Sequence, residues 1–481
     1  MTGLNMTRAP AAGATMKSVV GFLVFCELAS GFTQGYYAPL LPELARSLSV
    51  SDADITWFLT VQTLSAAVCV PLLSRLGDMF GHRRVLRLSM VAVAVGALAV
   101  AFVPSYPVVL AARILQGPLA VWLPLEIAII HGRLSGESAR RGVGMLVSFL
   151  TGGLILGTAA AGAVSALAPS LLVTLLIPLI PLAISLYAVF ARVPESPHRT
   201  PSRIDIVGFA GLAATMITLL AGLSLATSNG FTSGTAALTL GAGLLLLALW
   251  ARWELRTPSP AIDVRLMLSR RASPIHIAGF LFGLVIFGSQ APLTTFLSAD
   301  PDTAGYGFSA SSASISLVVA ALGLFATVGA AAFAGIARYT GMRGVLLLGA
   351  LLALGANVMI AALHTQMWQV WLYTVIAGFG MGLLLGGLPA LLAEVTPPEQ
   401  TGSSVGVYNS LRSLGGAAGG ALFAVVLSAA TIGSRDTAEL GGYVLTWVLC
   451  AIAFLAAAIA LTFLPARRSV PSADGDAPAS L

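Results

Sequence analysis

Runs of about twenty or more apolar residues recur from residue 18 to residue 464, separated by short polar breaks. An α-helix rises about 1.5 Å per residue, so roughly 20 such residues cross a hydrocarbon core of about 30 Å. Fourteen runs reach that length: 18–41, 55–74, 85–104, 107–130, 143–166, 170–191, 206–227, 235–253, 274–297, 313–336, 343–363, 367–393, 403–430 and 441–464. In lipid every backbone N–H and C=O must be paired within the protein, and a helix does this inside one segment. The runs therefore predict an all-α membrane protein with 14 transmembrane helices. Charged residues make up only 9% of the chain, against about 25% in soluble domains, which leaves too little polar surface for water.

The 25 Lys and Arg predict an orientation. Arg46 and Arg435 fall in breaks on one side, and Arg113 and Arg412 lie inside runs; the other 21 of the 25 fall on the opposite side. Cytoplasmic loops carry the excess of basic residues. Both termini are thus expected in the cytoplasm, in a multi-pass protein of the cell membrane with an even number of spans. The basic residues stand singly or in twos and threes, with no stripe for phosphates, so nucleic acid is not an expected partner. Arg8 and Lys17 before the run from Ser18 resemble a secretory signal, but that run is long and many like it follow, so it is expected to stay as a first span. Cys26, Cys69 and Cys450 each sit in an apolar run away from one another, which suggests neither a disulfide framework nor a zinc site.

Two hydrophilic breaks, Arg192 to Arg203 and Arg252 to Arg271, divide the runs into six, two and six. The expected organisation is a cytoplasmic tail over 1–17, a six-helix bundle over 18–192, a linker with two extra helices over 193–272, a second six-helix bundle over 273–465 and a disordered cytoplasmic tail over 466–481. Two similar bundles facing each other is the repeat logic of secondary transporters, whose substrate site lies between the halves near the midplane.

The break after the second run reads Ser74-Arg75-Leu76-Gly77-Asp78-Met79-Phe80-Gly81-His82-Arg83-Arg84. This resembles the loop signature of the major facilitator superfamily, with Ser74 where the first Gly is usual and Met79 where an Arg is usual. Gly81 permits a tight turn. Asp78 can cap a helix or pair with an Arg and so latch the bundles on the inner side, with Arg83 and Arg84 in the same conformational motif. A bare basic anchor is the plainer alternative. Arg113-Ile114-Leu115-Gln116-Gly117 in the fourth run is similar to the superfamily's second motif. The linker residues Trp253, Glu254, Pro258, Pro260 and Asp263, and the glycine-rich thirteenth run with Asn409 and Arg412, resemble its fourteen-span drug:proton antiporter branch. In the fifth run Gly153 and Gly157 fit that branch's antiporter motif, whereas Thr158 replaces its Pro; close helix packing explains the same glycines. The acid usual in the first run of this branch is Thr33 here.

An ionisable residue inside a span must face protein or water. Arg113 is either a structural cation on carbonyls or, as the resemblance implies, a cation that tunes a nearby carboxyl. Glu27 stands near the midplane, with an axial gap to Arg113 of about 7 Å, and is its expected partner. Burial favours a protonated carboxyl and a guanidinium the ionised one, so the two are expected to load and release a proton; a static ion pair is the alternative. Glu126 belongs to a proton path or to an inner pair. Thirteen residues from Arg113, it points to another face unless Pro118 and Pro124 kink the span. Gln34, Tyr37, Gln62, Gln116, Trp122, Gln290, Asn409 and Arg412 are the expected cavity residues, suited to lipophilic or amphipathic molecules. Arg412 serves either substrate or fold.

The resemblance implies a proton-coupled exporter working by alternating access as a monomer, needing no cofactor beyond the proton gradient, with a small molecule and the bilayer as partners. An uptake symporter or facilitator, and a lipid flippase or membrane sensor, are the alternatives. Neither a Ser/His/Asp set, an HExxH pattern nor a phosphate-cradling loop stands at a plausible place for an enzyme.

Overall fold

The computed structural model describes residues 16–464 apart from 103–104, 132, 135, 192–204, 230–232, 259, 261, 263, 270–271, 397–400 and 432–437. The expectations for residues 1–15 and 466–481 of the tails, for the whole 192–203 break, and for Arg435 and Asp263 lie outside these residues. What is described is helical, joined by turns: α1 (Met16–Tyr36), α2 (Asp52–Phe80), α3 (His82–Phe102), α4 (Tyr106–Gln116), α5 (Trp122–His131), α6 (Gly136–Leu167), α7 (Leu179–Ala191), α8 (Ile206–Asn229), α9 (Gly234–Glu254), α10 (Ser273–Gly288), α11 (Gln290–Ser298), α12 (Ser312–Ala362), α13 (Met367–Val395), α14 (Thr401–Ala429) and α15 (Leu440–Thr462), with shorter helices between some of them. Among the described residues, 11 helices are long and apolar enough to cross a membrane.

Helix starts follow from local chemistry. Ser51 accepts from the Asp54 amide and Ser311 from the Ser314 amide, which satisfies first-turn donors of α2 and α12. Asp52 and Asp54 place negative charge at the positive end of the α2 dipole. The sides of these helices are apolar on both faces. On α15, Tyr443, Trp447, Cys450 and Phe454 are buried in protein, while Leu445, Val448, Ile452, Leu455 and Ile459 point outward along the opposite stripe. A water-soluble helix would carry charge there; these residues are solvated by lipid.

The buried apolar residues separate into clusters that divide by sequence half. One large cluster is built almost wholly from α10 to α15. Two others belong almost wholly to α1 to α7 and the turns between them. Each half also contains a glycine-lined crossing between its first and fifth long segments. At α1–α6, a methyl on Gly153 would lie 2.3 Å from the Leu28 carbonyl oxygen, and one on Gly31 1.9 Å from that of Leu150. At α10–α14, a methyl on Gly415 would lie 2.0 Å from the Phe280 carbonyl and one on Gly283 1.9 Å from that of Arg412. The same device thus recurs in both halves of the chain.

Helix α8 pairs with α9 and packs against α14 and α2. Leu212 and Ile262 join Val407 in one apolar cluster that Val68 and Leu411 flank. The linker is also tied by polar contacts. Asp205 accepts from the Trp253 indole at 3.0 Å and from the Gly208 amide at 2.8 Å. The Glu254 carboxyl accepts from the Ile262 amide at 3.3 Å, and Arg75 donates to the Pro260 carbonyl at 2.8 Å. Trp253 and Glu254 of the branch's linker pattern thus tie the linker to itself, and Pro260 ties it to α2.

Candidate functional site

Two breaks in helices set the site. The fourth segment does not run straight: α4 stops at Gln116, Gly117–Val121 forms a 3-10 turn, and α5 restarts at Trp122. Pro118 and Pro124 lack the N–H an α-helix needs. The ninth segment is likewise interrupted at Ser289, between α10 and α11. Both breaks sit beside a cavity of about 190 Å3 between the bundles. Glu27 and Gln34 from α1 and Gln62 from α2 line one side of it, and Gln290 from α11 with Asn409 and Arg412 from α14 the other. Leu123, Leu150, Leu154 and Phe287 supply apolar wall between them.

Six of the expected residues therefore meet at one cavity, and three expected cavity residues do not. Tyr37 is fully buried beside Arg113, Gln116 is bonded to that guanidinium, and Trp122 lies in the apolar core of the first bundle. The correction has a cause at each residue. Tyr37 and Gln116 are taken up in solvating a buried cation, and Trp122 in packing.

That cation is Arg113, in the last turn of α4, where the helix dipole is negative. Its Nε donates to the Phe58 carbonyl at 3.0 Å, and its two terminal nitrogens donate to the side-chain oxygens of Gln116 and Gln62. Its plane lies 4.2 Å from the centre of the Phe58 ring and 4.9 Å from that of Tyr37, where ring quadrupoles attract it. Among the described residues it forms no ion pair, so the expected Glu27–Arg113 pair is not made. Phe58 carried no signal in the sequence, since one contact comes from its backbone.

Glu27 meets Glu126 instead. Helix α1 packs along α5, and the 3-10 break aims Glu126 at α1. Both carboxyls are fully buried and interact with each other and with the Cys26 thiol. Beyond these mutual contacts, no other described group hydrogen-bonds to their four oxygens. Only Glu27 of the two lines the cavity. The sequence placed each acid inside a span, while their contact depends on the kink.

Beyond the Arg75 contact to the linker, the motif loop bonds to its own bundle. Gly81 ends α2 at φ 105°, a conformation that favours glycine, and its N–H donates to the Gly77 carbonyl at 2.9 Å. Asp78 is half exposed and pairs with His82 at 3.0 Å, and Arg84 is exposed. Arg83 and Arg87 both donate to the Phe190 carbonyl at the end of α7, at 2.9 and 2.8 Å. Among the described residues, Asp78 pairs with His82 and makes no contact with the other bundle. The bundles meet instead at the opposite end, where Tyr443 donates to the Asp52 carboxyl at 2.7 Å and Ser312 to that of Glu43 at 3.3 Å.

A model of the Major Facilitator Superfamily matches residues 23–420. The chain belongs to this superfamily. It is a multi-pass membrane transporter. Among its relatives in this superfamily, it is 28% identical over 446 residues to the "Cephamycin export protein CmcT" of Amycolatopsis lactamdurans, covering 90% of this chain and 89% of that one. It is 27% identical over 457 residues to the "Puromycin resistance protein pur8" of Streptomyces alboniger, covering 88% and 85%. The crystal structure of the human organic anion transporter MFSD10 shares the superfamily fold at a TM-score of 0.60 and 20% identity, over 93% of this chain and 100% of that one.

Proposed function

We propose that this superfamily member exports small amphipathic molecules in exchange for protons, by alternating access of its two bundles. Relatives named for export of an antibiotic and for resistance to one support the direction. The observation that carries the coupling is the buried Glu27–Glu126 contact with Glu27 on the cavity wall. Two adjacent carboxyls shut away from water and from any cation do not both carry charge, so the pair holds a proton. A substrate entering beside Glu27 displaces it.

The span count completes the topology. The 11 long apolar helices treat α12 as one, although its 51 residues turn at Gly341, where φ is 73° and ψ 166°. Splitting α12 there, and adding α1 and α8, brings the count to the 14 spans read from the sequence. An even count with basic breaks on the motif-loop side puts both termini in the cytoplasm. The bundles are then 18–192 and 273–465 around the linker 193–272, and a cavity lined by both bundles of one chain makes a monomer sufficient. The end joined by Tyr443 and Asp52 faces outward, so this conformation is sealed on the outside.

Expression in a bacterium lacking its own efflux pumps tests the direction, with puromycin and a cephamycin as the first compounds. The expected result is lower intracellular accumulation of at least one of them, restored to control level by a protonophore. Accumulation equal to that of the empty vector for both would sink the export reading.

A further inference from the structure

The two intramembrane arginines differ in what satisfies them. Arg113 has an acceptor or a ring on every side. Arg412 faces the cavity, forms no ion pair among the described residues, and its Nε is buried with no hydrogen-bonding acceptor. Two rings lie beside it: Phe287 at 5.7 Å and Tyr408 at 6.0 Å from the guanidinium carbon. The Tyr408 hydroxyl lies close enough to interact with Arg412 and is buried away from any other partner among the described residues. A buried donor left without an acceptor is costly, and a guanidinium presents five N–H groups in a fork that matches a carboxylate.

The other bundle presents the opposite deficit. Glu27 lines the same cavity, and among the described residues no basic side chain pairs with it. One cation and one acid thus share a cavity without pairing, each on its own bundle. Gln34, Gln62, Gln290 and Asn409 add neutral donors and acceptors between them.

Building on the export reading, we propose that the transported molecule is an amphipathic zwitterion, its carboxylate docked on Arg412 and its ammonium facing Glu27. Such a ligand supplies both missing counter-charges and bridges the bundles. Its ammonium competes with the proton at Glu27, which is the competition an exchanger needs. A cation without the carboxylate meets Arg412 as a like charge, and an anion without the ammonium does not displace the proton.

Three β-lactams isolate the two charges: ampicillin carries both, benzylpenicillin lacks the amine, and the ester pivampicillin lacks the carboxylate. Equilibrium binding of each to the purified full chain in nanodiscs needs no gradient and is read by mass spectrometry. Wild type is expected to bind ampicillin about ten-fold or more tightly than either of the other two. Arg412→Gln is expected to erase the advantage over the ester, and Arg412→Lys to restore part of it, with monodisperse elution showing that both variants fold. If the ester binds as well as ampicillin, if none of the three binds wild type, or if Arg412→Gln leaves ampicillin affinity unchanged, the proposal is overturned. Drug export without this binding preference would remove the zwitterion and keep the exporter, whereas the preference without any export would do the reverse.

Discussion

Arg113 and Arg412 both lie inside apolar runs, and what surrounds each decides its work. Arg113 is held by one carbonyl, two side-chain amides and two rings, which is the structural reading that the sequence left open beside the tuning one. Lysine keeps the charge and loses the planar fork. Arg113→Lys is therefore expected to lower stability in detergent by about 1.5–3 kcal/mol, the worth of hydrogen bonds to a charged group. Thermal unfolding measures it, and an unchanged midpoint would count against a structural Arg113. The sequence made Glu27, Arg113 and Glu126 conspicuous, because a charge inside an apolar run needs a reason. It did not show who meets whom. Counting along a straight helix turned Glu126 away and left Arg113 as the partner, whereas the break at Gly117–Val121 turned Glu126 towards Glu27.

At the scale of elements, the runs predicted nearly every helix because the bilayer imposes one length on all of them. Breaks were harder to read, since glycine and proline scattered through a membrane helix are often absorbed without consequence. The α1–α6 crossing separates glycines that matter from those that do not. A methyl on Gly153 meets the Leu28 carbonyl, whereas one on Gly152 meets nothing within 4 Å. Gly153→Leu is expected to cost about 1–3 kcal/mol through overpacking. Gly152→Ala is expected to be neutral or to stabilise by up to about 1 kcal/mol. Unfolding of the two variants side by side in the same detergent checks this; equal midpoints would mean that the crossing is not held by close approach. The missing Pro at Thr158 has a local counterpart here, because the Thr158 hydroxyl donates to the Gly35 carbonyl at 3.1 Å and ties α6 to α1 at the same crossing.

For the whole molecule, the account requires the bundles to exchange contacts at their two ends. The present conformation spends its inter-bundle hydrogen bonds at the end of Tyr443 and Asp52, while Asp78 of the motif loop stays with His82. Removing the Tyr443 hydroxyl is expected to favour the outward-open form by about 0.5–1.5 kcal/mol. Spin labels at Ser47 and Asp302, both exposed and on different bundles, read this as a gain in the longer-distance population for Tyr443→Phe; an unchanged distance distribution would mean that this contact does not hold the end shut. The central claim is that occupancy of the cavity expels a proton through Glu27. It is tested most directly in proteoliposomes carrying a pH-sensitive dye, with a transported compound added at zero gradient. The expected result is a proton signal from wild type and none from Glu27→Gln, each measured at a compound concentration that saturates it. A signal of wild-type size from Glu27→Gln would contradict it.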